Sequence, residues 1–291
     1  MPMLKGIGRR RRAVGVDIRS WRECRRPRVL HSNEPATIGL ASRWGGAVSR
    51  PCLLPPPRPK PAGRVEAPVR ASSFGDLSMS SFADLRRMMV DCQLRTYDVT
   101  DRAVLAAADS VPREAFLPGE LSHLAYLDRQ EPLPGTSRAL PAPMVTARMI
   151  QVLDLQAGEE ALEYAGGSGY GAALMAAMGA KATLLEPDEA ALALARTAFA
   201  QPGVPAAELL AKLPEHRQFD AVLVSGACET PPEPLFRHVR QGGRLIVVEG
   251  VGRAARVVLH RKVGESLSGR PVFDAAAPVL REFRKAEVFA L

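Results

Sequence analysis

Cysteine is scarce in this chain, and the four present (Cys24, Cys52, Cys92, Cys228) lie far apart with no C-x-x-C pair. That spacing excludes a zinc ribbon and gives no basis for a disulfide framework. Reduced thiols in a cytoplasmic protein are the expectation. The five histidines (His31, His123, His216, His238, His260) show no metal-ligand spacing, so no metal is expected. No apolar run approaches the roughly 18 residues that a membrane span needs, and no membrane partner is expected. The basic start, Arg9-Arg10-Arg11-Arg12, is not followed by the apolar core of a secretory signal.

Acidic residues are also few at the start of the chain. Residues 1–78 hold 16 Lys+Arg against 5 Asp+Glu, whereas residues 79–291 hold 23 against 26. The basic balance therefore belongs to the first quarter, and the remainder carries no charge excess of the kind that nucleic-acid binding requires. The same quarter contains Pro51, Pro55-Pro56-Pro57, Pro59 and Pro61 and has no sustained hydrophobic period. Such a segment cannot bury enough apolar surface to offset its ordering entropy, so residues 1–78 are expected to be a disordered basic leader. A basic arm for anionic partners and a transit-like peptide are the functional alternatives, the second weakened by Asp17, Glu23 and Glu34. The simpler expectation is that the working protein begins at Met79, where the composition changes.

From Met79 onward, Ser81-x-x-Asp84 has the form of a capping box opening a helix through Leu85, Met88, Met89 and Cys92. The pattern fades at Tyr97-Asp98. Thr100 is the expected cap of a second helix using Val104, Leu105, Ala108 and Val111. Pro118, Pro132, Pro134, Pro141 and Pro143 mark an irregular stretch, and residues 143–155 look helical again. Beyond this the chain alternates. Strands are expected near 161–164, 182–186, 221–225 and 244–249, with helices near 170–178, 188–199 and 232–239. Two more strands are expected at 257–261 and 286–290. Alternation of this kind gives an α/β fold, a mostly parallel Rossmann-like sheet with helices on both faces. Residues 79–155 would form a helical substrate-side region and residues 156–291 a cofactor-binding core.

The segment with most chemistry is Ala161-Leu162-Glu163-Tyr164-Ala165-Gly166-Gly167-Ser168-Gly169-Tyr170. It joins a buried strand to a helix through glycines, which let backbone N–H groups approach a ligand with no Cβ between. A second apolar run then ends at Glu186, about 20 residues past the first glycine, where nucleotide-binding folds place the carboxylate that holds ribose hydroxyls. Gly167-x-Gly169-x-x-Ala172 also matches a dinucleotide fingerprint, so a nicotinamide cofactor competes with S-adenosylmethionine. An acid at Glu163, three residues before Gly166, suits the ammonium group of S-adenosylmethionine and is out of place beside a pyrophosphate. Glu163 could instead only cap the turn. Arg148 is weighed between a place near substrate and a solvated charge, and Asp220 between the adenine side and a turn former. Cys228 lies near the crevice with nothing to show reactivity.

Val111-Pro112-Arg113-Glu114-Ala115-Phe116, Ala125-Tyr126-Leu127-Asp128, Leu133-Pro134 and Pro143-Met144-Val145-Thr146-Ala147-Arg148-Met149 follow one another in order. Together with 163–170, they resemble the protein-L-isoaspartate O-methyltransferases, a class I family dependent on S-adenosylmethionine. The likeness runs roughly from Met79 to Gly250. It implies that Glu163, Gly166, Gly167, Ser168 and Gly169 line the methionine and ribose side of the cofactor and that Glu186 holds the ribose. It also implies a peptide or protein partner bearing isoaspartyl residues, whose carboxylate takes the methyl group as a step in protein repair. The segment between Leu117 and Pro143 would be a lid.

Two departures stand out. The family usually has Gly-Thr where this chain has Ala165-Gly166. Its substrate loop usually reads Thr-Ile-Ser-Gln-Pro, against Ala139-Leu140-Pro141-Ala142-Pro143 here, with one residue fewer in the loop. The serine associated with the active site falls on Pro141, which has neither hydroxyl nor N–H. A family-like protein with a changed acceptor, or one that binds the cofactor without catalysis, is therefore the alternative reading.

Overall fold

A computed structural model describes residues 81–264 and 266–286. The expected leader at 1–78, its boundary at Met79 and all but the first residue of the expected strand at 286–290 lie outside the described residues.

The first helix, α1 (Phe82–Met89), begins with the expected capping box: Ser81 Oγ accepts from Asp84 N–H, and Asp84 accepts from Ser81 N–H. It runs on through a π-helical turn (Val90–Leu94) and a 3-10 turn (Arg95–Tyr97), ending at Asp98 in the left-handed conformation. The second helix, α2 (Arg102–Ser110), is capped by Asp101 and not by Thr100 as the sequence suggested. The Asp101 carboxylate reaches two free amides, Ala103 N and Val104 N, at 2.7 and 3.1 Å. The amide of Thr100 instead donates to Gln151 Oε1.

The proline-marked stretch is more ordered than its composition implies. It holds 3-10 turns at Arg113–Phe116 and Gly119–Leu124, then a two-stranded antiparallel hairpin, β1 (Glu131–Pro132) with β2 (Ala139–Leu140). Pro143 then opens α3 (Pro143–Leu153) from the first helical position, where its missing N–H costs nothing.

The core is a seven-stranded sheet built from β3 (Glu160–Tyr164), β4 (Lys181–Leu185), β5 (Glu208–Leu210), β6 (Phe219–Cys228), β7 (Val239–Glu249), β8 (Arg256–Val263) and β9 (Ser266–Asp274). Its order is β5-β4-β3-β6-β7-β8-β9. The first five run parallel, and β8 and β9 are added antiparallel at one edge. Three helices interleave: α4 (Tyr170–Ala177), α5 (Glu189–Phe199) and α6 (Glu233–Phe236). Period-2 alternation divides the strands between two cores. Ala161, Ala221, Leu223 and Ile246 share a cluster with residues of α2, α3 and α4. Leu162, Val222, Val224, Leu245 and Val247 share the other with Leu235 of α6, Leu280 and Phe283. Burial on both faces is why these strands read as nearly continuous apolar runs.

Three expectations change. The helix foreseen at 232–239 is only four residues long, because Val239 already pairs with Phe219 in the sheet. Strand β6 continues past 225 through an irregularity to Cys228. Strands β5 and β9 were not foreseen at all. No helix among the described residues is long and apolar enough to cross a membrane.

Candidate functional site

Five residues, 165–169, connect β3 to α4 at the carboxyl end of the sheet, beside the point where the strand order departs from β3 to β4 on one side and β6 on the other. Ligands of open α/β sheets bind at such a switch point. The turn needs left-handed backbone at Ala165 (φ +56°), Gly167 and Gly169 (φ +91°). At Gly166 the requirement is space: a Cβ there would stand 2.3 Å from the carboxyl carbon of Glu163.

Glu163 lies beneath this turn and is almost wholly buried. Its carboxylate accepts from Ala172 N–H at 2.6 Å, in the first turn of α4, and from the Ser225 hydroxyl on β6, one residue past the last β3–β6 pair. Burial pushes its pKa up to about 7, and the nearby charge of Glu186 pushes the same way. The Ser225 and backbone donors pull against them.

Glu186 follows β4 and is fully buried. One oxygen accepts from Gly167 N–H at 2.8 Å. The other accepts from Asp188 N–H and from Arg138 Nε, each at 2.9 Å. Burial raises its pKa, with Arg138 and the two amides opposing. Arg138 comes from the β1–β2 hairpin, and its remaining nitrogens donate to both oxygens of Glu282, at 2.9 and 3.2 Å. Tyr164 Oη also donates to Glu282 at 3.0 Å. Ser137 donates from its amide and its hydroxyl to Asp188 Oδ2, and Leu133 lies against Gly167. The hairpin thus crosses the crevice above the glycine turn.

These groups fit an adenosine-containing cofactor. The turn carries no Cβ at 166, 167 or 169, and the buried hydroxyl of Ser168 has no hydrogen-bond partner. A strand-end carboxylate stands where ribose hydroxyls would be received. Glu163, Gly166, Gly167, Ser168, Gly169 and Glu186 are brought together around one turn. Leu133, part of the Leu133-Pro134 motif, joins them, as do Arg138, Ser225 and Glu282, which the sequence did not mark as site residues. Arg138 and Glu282 are 144 residues apart in the chain, and no local signal announces either.

Other residues fall elsewhere. Asp220 sits at the amino end of β6, where it accepts from Glu160 N–H and pairs with Arg240, at the opposite end of the strands from the glycine turn. Arg148 pairs with Asp98 and lies over the rings of Tyr97 and Phe273. Cys228 is buried, and burial first, with Glu282 and Glu249, pushes its thiol up to about 12. Pro141 offers its carbonyl to Arg113, whose guanidinium also holds Ala125 O and lies over the Tyr170 ring. Arg113 therefore fixes the height of the loop that departs from the family pattern.

The chain matches the family model for protein-L-isoaspartate(D-aspartate) O-methyltransferase over residues 86–273. Among relatives named protein-L-isoaspartate O-methyltransferase, that of Methylorubrum populi is 38% identical over 169 residues, covering 57% of this chain and 79% of the relative. That of Roseiflexus castenholzii is 35% identical over 199 residues, covering 66% and 90%. A solved protein-L-isoaspartate O-methyltransferase superposes with a TM-score of 0.57 at 22% identity, over 67% of this chain and 65% of its own. The Plasmodium falciparum beta-aspartate methyltransferase, solved with S-adenosyl-L-homocysteine, superposes with a TM-score of 0.58 at 18% identity, over 68% and 98%. The two structures share the fold; the matched stretch, from α1 through β9, carries the rest of the inference, and on it this chain belongs to the protein-L-isoaspartate(D-aspartate) O-methyltransferase family.

Proposed function

We propose that this chain is a cytoplasmic enzyme that methylates the free carboxylate of L-isoaspartyl residues in damaged proteins, using S-adenosylmethionine. The observation that carries the reading is the family match extending across the glycine turn, Glu186 and the hairpin above them. When bound, S-adenosylmethionine supplies a methyl carbon attached to a positively charged sulfur.

The residues of the chain would divide the remaining work. Glu186 would receive the ribose hydroxyls, and the glycine turn at Gly167, Ser168 and Gly169 would lie against the cofactor, with Ser168 Oγ free to hydrogen-bond. Gly166 leaves room for the Glu163 carboxyl group, whose ionised form the ammonium group of the methionine end would favour, while it holds the first turn of α4. The acceptor needs no general base. An α-carboxylate of this kind ionises near pH 3.5, so at neutral pH it is already a nucleophile. Catalysis then rests on in-line alignment, which can supply on the order of 7–11 kcal/mol. Charge is lost as anion and cation combine, and a crevice covered by the β1–β2 hairpin favours that change. The partner is a peptide or protein with an isoaspartyl residue, and neither nucleic acid nor a membrane surface is required.

The test is transfer from labelled donor to matched peptides containing aspartate or isoaspartate. Base-labile label on the isoaspartyl peptide alone is the expected result. Donor binding with no label on either peptide would overturn the acceptor assignment and return attention to Pro141.

A further inference from the structure

The Arg138–Glu186 contact is unusual for a site that must receive a nucleoside. Both Glu186 oxygens are already engaged: one takes Gly167 N–H, and the other takes Asp188 N–H and Arg138 Nε. The pair is desolvated, with side-chain exposures of 4% and 0%. A ribose diol approaching this carboxylate brings two hydroxyl donors to a group whose lone pairs are largely taken. The guanidinium has somewhere to remain if that contact breaks. Its two terminal nitrogens already grip Glu282, a partly exposed carboxylate that Tyr164 also holds.

We propose that Arg138 competes with the methyl donor for Glu186, so that the β1–β2 hairpin is latched across the crevice until ribose displaces Nε and leaves the arginine on Glu282 alone. The inference rests on the assignment of Glu186 to the ribose. Two further contacts would travel with the latch. Ser137 is tied to Asp188, two residues beyond Glu186, and Leu133 covers the face of Gly167. Releasing Arg138 frees the acceptor carboxylate from a cation, and at the same time uncovers the main chain the donor must meet. Cofactor entry and hairpin movement are then one event. A ligand that does not reach Glu186 cannot trigger it, because only interactions that differ between the two states shift their balance.

The test is calorimetric titration of the full chain with S-adenosyl-L-homocysteine, with melting curves of each variant taken without ligand. Arg138→Gln removes the competitor and is expected to tighten binding about tenfold, the gain when a conformational requirement is relieved. Glu282→Gln removes the second resting place and is expected to weaken binding several-fold. The double variant Arg138→Gln/Glu282→Gln should bind like Arg138→Gln, since the part of Glu282 in the latch is to hold the arginine. It also leaves no unpaired arginine or Glu282 charge and serves if the single variant does not fold. A merely structural role would make both single variants weaker binders in step with their lost thermal stability, and that result would overturn the latch. Glu186→Ala separates the two layers. If it leaves affinity unchanged, the ribose assignment fails and the latch with it. If it weakens binding while Arg138→Gln and the double variant do not tighten it, the assignment stands and only the latch is lost.

Discussion

The hydroxyl of Ser225 donates to the carboxylate of Glu163, joining two neighbouring parallel strands beneath the glycine turn. Burial makes this carboxylate ionise near pH 7, against about 4.5 in an open chain. The fold therefore favours the uncharged form. The stability tied to it is complete below about pH 4.5 and declines as pH rises through 7. Glu163→Gln carries no such dependence. Its melting temperature is expected to gain on that of the wild type by more than about 2 °C between pH 5 and pH 8, the shift that roughly 1 kcal/mol produces in a domain of this size. A gap that stays constant across that range would show that Glu163 ionises normally.

Ala165 holds a left-handed backbone at φ +56° where its own methyl group is a hindrance. Ala165→Gly removes that strain, at some cost in unfolded-chain entropy. The variant is expected to be more stable by about 1 kcal/mol, read as a higher urea midpoint with an unchanged slope. A lower midpoint would mean that the buried methyl contributes more by packing than it costs in backbone conformation.

Arg244, at the amino end of the parallel sheet, donates to both oxygens of Glu159 at 2.7 and 2.8 Å and to the carbonyls of Leu153 and Asp154. Its hydrogen bonds and charge hold Glu159 below the usual carboxylate range. Arg244→Met leaves these acceptors without their donor and is expected to cost about 3 kcal/mol of stability. Donor affinity should be unchanged, because the glycine turn is at the other end of the strands. Weakened binding in a fully folded sample would contradict that separation.

Glu186→Ala removes the acceptor proposed for the ribose hydroxyls. Affinity for S-adenosyl-L-homocysteine is expected to fall by about 1–3 kcal/mol, the cost of leaving buried hydroxyls unpaired. Equal affinity by calorimetry would remove Glu186 from the site.

How much of this could be read from the residues differs between elements. The turn between β3 and α4 is legible because local chemistry forces it: a buried strand, glycines in series, then a helix. Glu186 is legible because it ends the next apolar run. Strand β9 escaped notice, since Gly269 and Pro271 interrupt it and most of its residues are exposed at the sheet edge. Strand β5 is three residues long. Arg138 stands in a proline-marked stretch with nothing local to mark it. Only the fold reveals that Glu186 and Glu282, which are 48 and 144 residues onward, converge on it. Thr100 was mistaken for a cap because two adjacent residues, Thr100 and Asp101, both carry side chains of the right kind.

The carboxyl end of β6 is completed by a segment far downstream. Ala227 N–H donates to Pro278 O, Leu280 N–H returns to Ala227 O, and the amides of Glu229 and Thr230 both donate to Phe283 O. That same segment brings Glu282 to Arg138. During synthesis, every other part of the crevice emerges before this one. A nascent chain halted near residue 275 would carry the glycine turn, the hairpin and Glu186, yet its arginine would have a single counterion and β6 would have bare amides at its tip. A released chain ending there should therefore lack the segment that completes its own crevice.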